Sequence, residues 1–345
     1  MIVVHIESGL GNQMLSYCEF LALQHTNPNE KIYIENIIYE IDEANKYINQ
    51  WNGYELNKVF NIKAPNIKEL FSEVEWSEII NEIKQTEFWK KNWNYPKYFT
   101  EVLNKHGLKL KNIRGDFENN YKKVQTNFTK LSILEKLKQT RIYSNIRRYY
   151  YIIYKNTKYR NNQDVLFYKT NESVFTGQRL KFKLRDNNIG LIDKEIRKSF
   201  VFPKLDKKNL EFKKILEENN SVAIHVRRGD MLNTTGKHYK NGYFKRATRL
   251  IKKKVKNPLF VFFCDTTCGD WCKNNLKVFG LKKDEVLFVD WNAGTDSYKD
   301  MQLMVHCKHN IVTVSTFGWW GAYLNTNPNK ITISPEFEIN TTHHC

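Results

Sequence analysis

The sequence predicts an α/β protein with a parallel, doubly wound sheet, divided into two domains. Three observations carry that expectation. A chain of 345 residues is long for a single hydrophobic core. From about residue 220 strands and helices alternate: strand 222–228, helix 241–255, strand 259–264, helix 268–279, strand 286–290, helix 297–307, strand 311–315, helix 318–325, strand 330–333. Alternation at that spacing means parallel strands joined by crossover helices. The amino end repeats the theme: Ile2-Val-Val-His-Ile6, then Ser8-Gly-Leu-Gly-Asn-Gln13, then a helical run from Met14 to about Gln24. Strand, glycine turn and helix open a nucleotide-type α/β unit, and the helix amino end favours an anion. Gly11 and Asn12 lie in that turn. An ordinary tight turn is the competing reading, because the text is not Gly-x-Gly-x-x-Gly and has no Walker lysine.

Between these ends, 31–36 reads as the next strand, and 40–110 is helical in pieces, with tryptophans at 51, 76, 89 and 93 that read as core. Residues 173–176 read as a strand, and 193–200 and 207–218 as helices separated by Pro203. The expected division is 1–205, with a variable basic insertion at about 122–160, and 206–345. In that insertion basic residues from Lys122 to Arg160 face one acid, Glu135, while Leu134, Leu137, Ile142, Ile146 and Ile153 recur at helical spacing. A membrane-surface helix and a solvated face on a docked helix both fit that pattern.

Composition limits the partners. Hydrophobic content of 41% fits a globular chain, and a net charge of +18 calls for anionic partners: nucleic acid, a lipid surface or a phosphorylated substrate. The opening residues lack the basic n-region of a secretory signal, which predicts a cytoplasmic protein with free thiols. Peripheral contact at the inner membrane face is the role the basic helix would then have. Cys264, Cys268 and Cys272 fall at i, i+4 and i+8, the spacing of a helix face, without a Cys-x2-Cys knuckle, so no metal site is expected.

The stretch Ser221-Val-Ala-Ile-His-Val-Arg-Arg-Gly-Asp230 organises the second half. A buried apolar strand that ends in Arg227 and Arg228 needs an anion at its carboxyl end, which is where open α/β sheets bind ligands. Consecutive strand positions point to opposite faces, so both arginines, although candidates for the ligand, need not touch it, and an internal ion pair is the other reading of Arg228. Asp230 and His238 are candidates by position for a general base, with a cap or arginine partner as the other reading of Asp230. Arg228-Gly-Asp230 follows a buried strand directly, which argues against an adhesion loop.

Further on come Val289-Asp-Trp-Asn-Ala-Gly-Thr-Asp-Ser-Tyr-Lys-Asp-Met-Gln-Leu-Met304, Cys307-Lys-His-Asn-Ile311 and Ser315-Thr-Phe-Gly-Trp-Trp-Gly-Ala-Tyr-Leu-Asn325. With His225-Val-Arg-Arg-Gly-Asp230 and Gly9-Leu-Gly-Asn-Gln-Met14, this text resembles the α-1,2-fucosyltransferases of glycosyltransferase family 11. The resemblance covers about 221–335 and 1–25. It implies two Rossmann-like domains facing across a cleft, the glycosyltransferase-B type, with an acceptor-side domain first and a GDP-sugar domain second. It implies inverting, metal-independent transfer of fucose from GDP-fucose to the 2-hydroxyl of a galactose on an acceptor glycan, which a lipid carrier would hold. No cofactor is expected beyond that donor.

Carried onto this chain, the resemblance sends Arg227 to the diphosphate, and His225 and Asp300 to nucleotide recognition. An aspartate can accept from both guanine N1–H and the N2 amine. Asp296 competes for that role, and a helix-terminal acid is the plain alternative for either. Ser315 and Thr316, at a strand-to-helix junction, suit a phosphate. The chain has no Asp-x-Asp for a cation, so arginine would supply the positive charge. Two departures stand out: Val314 and Gly318 replace polar residues common in the family, and Gly177-Gln-Arg-Leu180 lacks its aromatics. The rival from another class is a basic nucleic-acid-binding protein, although no recognition motif accompanies the basic runs.

Overall fold

A computed structural model describes residues 1–47, 52–91, 95–113, 142–143, 146, 169–177, 189–227, 242–264, 268–313 and 315–335. Arg228, Asp230, His238 and Val314, with nearly all of the basic insertion, lie outside the described residues. The chain forms two compact units, Met1–Lys136 with Ile153–Val201, and Leu137–Ile152 with Phe202–Cys345.

The first unit holds a four-stranded parallel sheet of β1 (Ile2–His5), β2 (Ile32–Glu35), β3 (Lys111–Asn112) and β4 (Val174–Thr176), in the order β2-β1-β4-β3. Helix α1 (Leu10–Thr26) follows β1 as the glycine turn predicts. The residue that takes the left-handed conformation there is Ser8 (φ 69°), not a glycine. Gly9 is extended at the N-cap, and Gly11 is buried inside the helix rather than in the turn. Trp76 is buried among Ile79, Ile83, Phe88 and Phe99, so this tryptophan is core.

The second unit is a five-stranded parallel sheet of β5 (Asn220–Val226), β6 (Pro258–Cys264), β7 (Val286–Val289), β8 (His309–Ile311) and β9 (Thr332–Ile333). Its order is β7-β6-β5-β8-β9. The chain winds outward from β5 through β6 to β7, then crosses back to place β8 on the other side of β5. The carboxyl ends of β5 and β8 therefore flank the switch point of a doubly wound sheet, where such folds bind ligands. Crossovers run through α2 (Lys207–Glu218, leading into β5), α3 (Tyr243–Lys254), α4 (Gly269–Asn274), α5 (Tyr298–His306) and α6 (Thr316–Leu324). Phe260, Val261, Phe262 and Phe263 of β6 are all buried. A central strand covered on both faces is continuously apolar, not alternating.

Three expectations need correction. β5 ends at Val226, so Arg227 follows the strand and the alternation argument for its direction does not apply. β8 spans His309–Ile311, so Thr313 and Ser315 belong to the loop before α6 and not to a strand. The three cysteines do not share a helix face: Cys264 ends β6, Cys268 is the N-cap of α4, and Cys272 lies within α4.

Candidate functional site

The site is built on the carboxyl edge of the second sheet. Because all five strands are parallel, every segment that leaves a strand emerges on that edge. β5 delivers His225 and Arg227, β7 delivers Asn292 and then Asp300 in the first turn of α5, and β8 delivers Thr313, Ser315 and Thr316.

His225 is buried, with Nδ1 3.3 Å from Thr313 Oγ1 and its ring tilted over Phe317 at 5.8 Å between centroids. This contact joins the ends of β5 and β8 across the switch point. It also accounts for Gly318. A Cβ at that position would lie 2.5 Å from His225 Nδ1 and 2.7 Å from Cγ, a separation that side-chain atoms do not tolerate. Arg227, half-buried, is one residue beyond the strand. Ser315 is the N-cap of α6, extended at φ −141° and ψ 134°, and its side chain makes no capping hydrogen bond to the helix. Ser315 and Thr316 are both buried. The first N–H groups of a helix have no partner within it, and with neighbouring hydroxyls they suit a phosphate oxygen. Tyr243 Oη donates to the carbonyls of Val312 (2.6 Å) and Ile333 (3.0 Å), which pins the loop that carries these groups.

Asp300 is the other buried acceptor, and the structure separates it from Asp296. Asp296 is exposed and ion-paired with Lys299 at 2.9 Å, a surface contact. Asp300 is 7% exposed, and Asn292 Nδ2 donates to its Oδ1 at 2.8 Å. Burial pushes its carboxyl up to about 7, against the pull of that hydrogen bond. Asn292 belongs to a network that sequence reading passed over. Its Nδ2 also donates to Asn209 Oδ1 at 3.0 Å, and Asn209 Nδ2 donates to Asp206 Oδ2 at 2.8 Å. Trp291 Nε1 donates to the same Asn209 oxygen at 3.0 Å. Asp206 is held well below the usual carboxylate range, first by the Asn209 backbone N–H.

In the first unit the predicted glycine turn is closed by the chain itself. Gln13 Nε2 donates to the carbonyls of Ser8 (2.8 Å) and Gly53 (2.9 Å), while its Oε1 accepts from Glu55 N–H at 2.8 Å. The Glu55 carboxylate accepts from Leu10 N–H at 3.1 Å. An internal carboxylate therefore meets the α1 amino end, where the sequence suggested a ligand anion. Asn12 lies in the first turn of α1, and its buried Oδ1 has no hydrogen-bond partner among the described residues. Sequence reading also missed a charged cluster at the ends of β1 and β2. Buried His5 is 2.7 Å from Glu35 and 3.3 Å from Glu7. Burial pulls His5 down, but the two carboxylates outweigh it and its pKa is raised. Such a group can hold a proton.

The second unit is thus a doubly wound α/β unit whose switch point is flanked by a histidine, an arginine and a helix amino terminus. The chain belongs to glycosyl transferase family 11, whose family model matches residues 129–342. It is similar to an alpha-1,2-colitosyltransferase of Escherichia coli, 32% identical over 130 residues, which are 36% of this chain and 43% of that one. It is equally similar to the Escherichia coli O-antigen biosynthesis glycosyltransferase WbnK, at 32% over 130 residues and 41% of that protein. A galactoside alpha-(1,2)-fucosyltransferase 1 of Aotus azarae is 36% identical over 109 residues, 30% of this chain and 28% of that one. The chain spans less than half the length of these curated relatives. Among solved structures, a NodZ alpha-1,6-fucosyltransferase co-crystallised with GDP covers 93% of this chain and 90% of that one, at 11% identity and a TM-score of 0.41. No described helix is long and apolar enough to cross a membrane.

Proposed function

We propose that this protein transfers fucose from GDP-fucose to the 2-hydroxyl of a galactose residue on an acceptor glycan, forming an α-1,2 linkage with inversion and without a catalytic metal. The observation that carries the reading is the grouping of His225, Arg227, Ser315 and Thr316 around the switch point of a glycosyl transferase family 11 chain. In this reading the second unit binds the donor and the first binds the acceptor, in the glycosyltransferase-B manner. The acceptor is lipid-linked at the inner face of a cytoplasmic membrane, which gives the basic insertion its partner. Matches to α-1,2 enzymes and to an O-antigen glycosyltransferase support the linkage and the class of acceptor. They disfavour the nucleic-acid reading.

The chemistry is a single displacement. The acceptor oxygen forms a bond to the sugar C1 as the C1–O bond to the diphosphate breaks, GDP leaves, and the hydroxyl proton passes to a base. Negative charge grows on the departing phosphate, so a fixed cation that touches it lowers the barrier. Arg227 has that role, helped by the α6 amino terminus at Ser315 and Thr316. Asp300 accepts from the guanine N1–H and N2 amine. Arg227→Ala is expected to lower transfer by about 100- to 1,000-fold while circular dichroism stays that of the parent protein. Near-normal turnover in a folded variant removes Arg227 from the mechanism. The whole reading is tested with labelled GDP-fucose and a panel of galactose-terminated glycans, with a colitose donor as the second arm because one relative is a colitosyltransferase. Salt-sensitive binding to duplex DNA without GDP binding would overturn it.

A further inference from the structure

Three cysteine thiols converge at the carboxyl end of β6, beside the donor-side residues and separate from them. Cys264 ends the strand, Cys268 is the N-cap of α4, and Cys272 follows one turn later. Their Sγ atoms all lie within 4.8 Å of one another, and Cys264 Sγ is 3.7 Å from Cys272 Sγ. Among the described residues this is the one group of three or more His, Cys, Asp or Glu side chains that converges in this way. Cys268 and Cys272 are buried within the apolar core of the unit, with Val226, Phe244 and Phe279, and Cys264 is half-buried at its edge.

The geometry has a chemical meaning. A Zn–S bond of about 2.3 Å in a tetrahedral site sets sulfur atoms about 3.8 Å apart, and the Cys264–Cys272 separation matches that edge. A buried trio of thiols is a soft donor set, which selects Zn(II) or Cu(I) over harder cations. The neighbouring thiols push Cys264 well above its ordinary value, led by its hydrogen bond to Cys268, with burial adding to the effect.

We propose that Cys264, Cys268 and Cys272 form a three-thiolate site for one thiophilic d10 cation, Zn(II) or Cu(I), that staples the end of β6 to the start of α4. Binding exchanges three S–H protons for three metal–sulfur bonds with no change of oxidation state. A Cu(I) ion is satisfied by three thiolates, whereas Zn(II) keeps a fourth position for water. The site is structural and not part of the transfer step. Its effect on the donor site is positional: Cys268 Sγ is 3.7 Å from the carbonyl of Val226, the residue before Arg227.

The test uses the full chain, purified anaerobically with reductant. Metal is quantified per chain, and Co(II) is added as a probe whose thiolate charge-transfer band reports sulfur coordination. One equivalent of Zn or Cu per chain, or a one-to-one Co(II) charge-transfer band, is expected, and Cys264→Ser should lose it with unchanged circular dichroism. Bound metal should also protect these three thiols, identified by mass spectrometry, from alkylation in the native protein. That measurement needs no variant. Equal metal content in the parent and Cys264→Ser proteins, unprotected thiols with metal present, or a Cys264–Cys272 disulfide in their place would each overturn the proposal.

Discussion

Asp300 joins a buried carboxyl whose pKa is raised by desolvation to the most specific assignment proposed in the second unit. A carboxyl that titrates near 7 in the folded protein binds its proton more tightly than in the unfolded chain. The group therefore contributes stability below about pH 4, where both states are protonated, and that contribution is lost as the pH rises to about 7. At pH 8 the buried anion is a burden. Asp300→Asn should raise stability by roughly 1–3 kcal/mol at pH 8, seen as a higher melting temperature, and should weaken GDP binding. GDP affinity of the parent protein should in turn fall about tenfold per pH unit below 7, because guanine donors need the carboxylate. A pH-independent GDP affinity, measured by calorimetry from pH 5.5 to 8, would detach Asp300 from the base. Gly318 makes a second prediction at this scale. The Cβ of Gly318→Ala meets His225, so the imidazole must leave its contact with Thr313 or the helix must shift. Overpacking of this kind costs about 1–3 kcal/mol, and GDP affinity should fall with it. An alanine variant with parent melting temperature and GDP affinity would show that the histidine position is immaterial.

At the scale of elements, a polar side chain decides whether a strand-turn-helix unit welcomes an anion. Gln13 ties the Ser8 and Gly53 carbonyls to the Glu55 N–H, and Glu55 occupies the start of α1. Gln13→Ala leaves three backbone groups to find new partners. It should lower stability by about 1–3 kcal/mol, measurable in urea melts, without changing GDP affinity. Loss of GDP affinity with unchanged stability would return this turn to the donor site. The contrast is with α6, whose N-cap hydroxyl makes no cap of its own. Most elements were legible from the residues, because turn glycines, Pro203 and the alternation of apolar runs are local signals. The predicted strand 222–228 and helix 297–307 lie within two residues of β5 and α5. Strand 311–315 was displaced toward its carboxyl end, because Val312 and Thr313 have strand-type side chains in a loop whose register Tyr243 sets from another element.

At the scale of the molecule, each of the two parallel sheets gathers the loops that follow its strands at one carboxyl edge. The transfer reading makes the charge at the donor site a fixed arginine, so brief treatment with EDTA is expected to leave initial rates unchanged. A large loss restored by added Mg(II) or Mn(II) would place a cation at the diphosphate. The proposed thiolate site is distinguishable, since its loss is read as thiol reactivity and metal content and not as rate.

The sequence by itself determined the alternation of strands and helices, the family, and the residue types gathered at His225, Arg227, Ser315 and Thr316, because these signals lie within short stretches of chain. Only the tertiary structure decided what those residues meet. It separated buried Asp300 from ion-paired Asp296, gave Gly318 its reason in an imidazole ninety-three residues upstream, and filled the α1 terminus with Glu55. It also brought together three thiols that read as a helix face. Burial, close approach and hydrogen-bond competition depend on neighbours distant in the chain, and no local pattern encodes them.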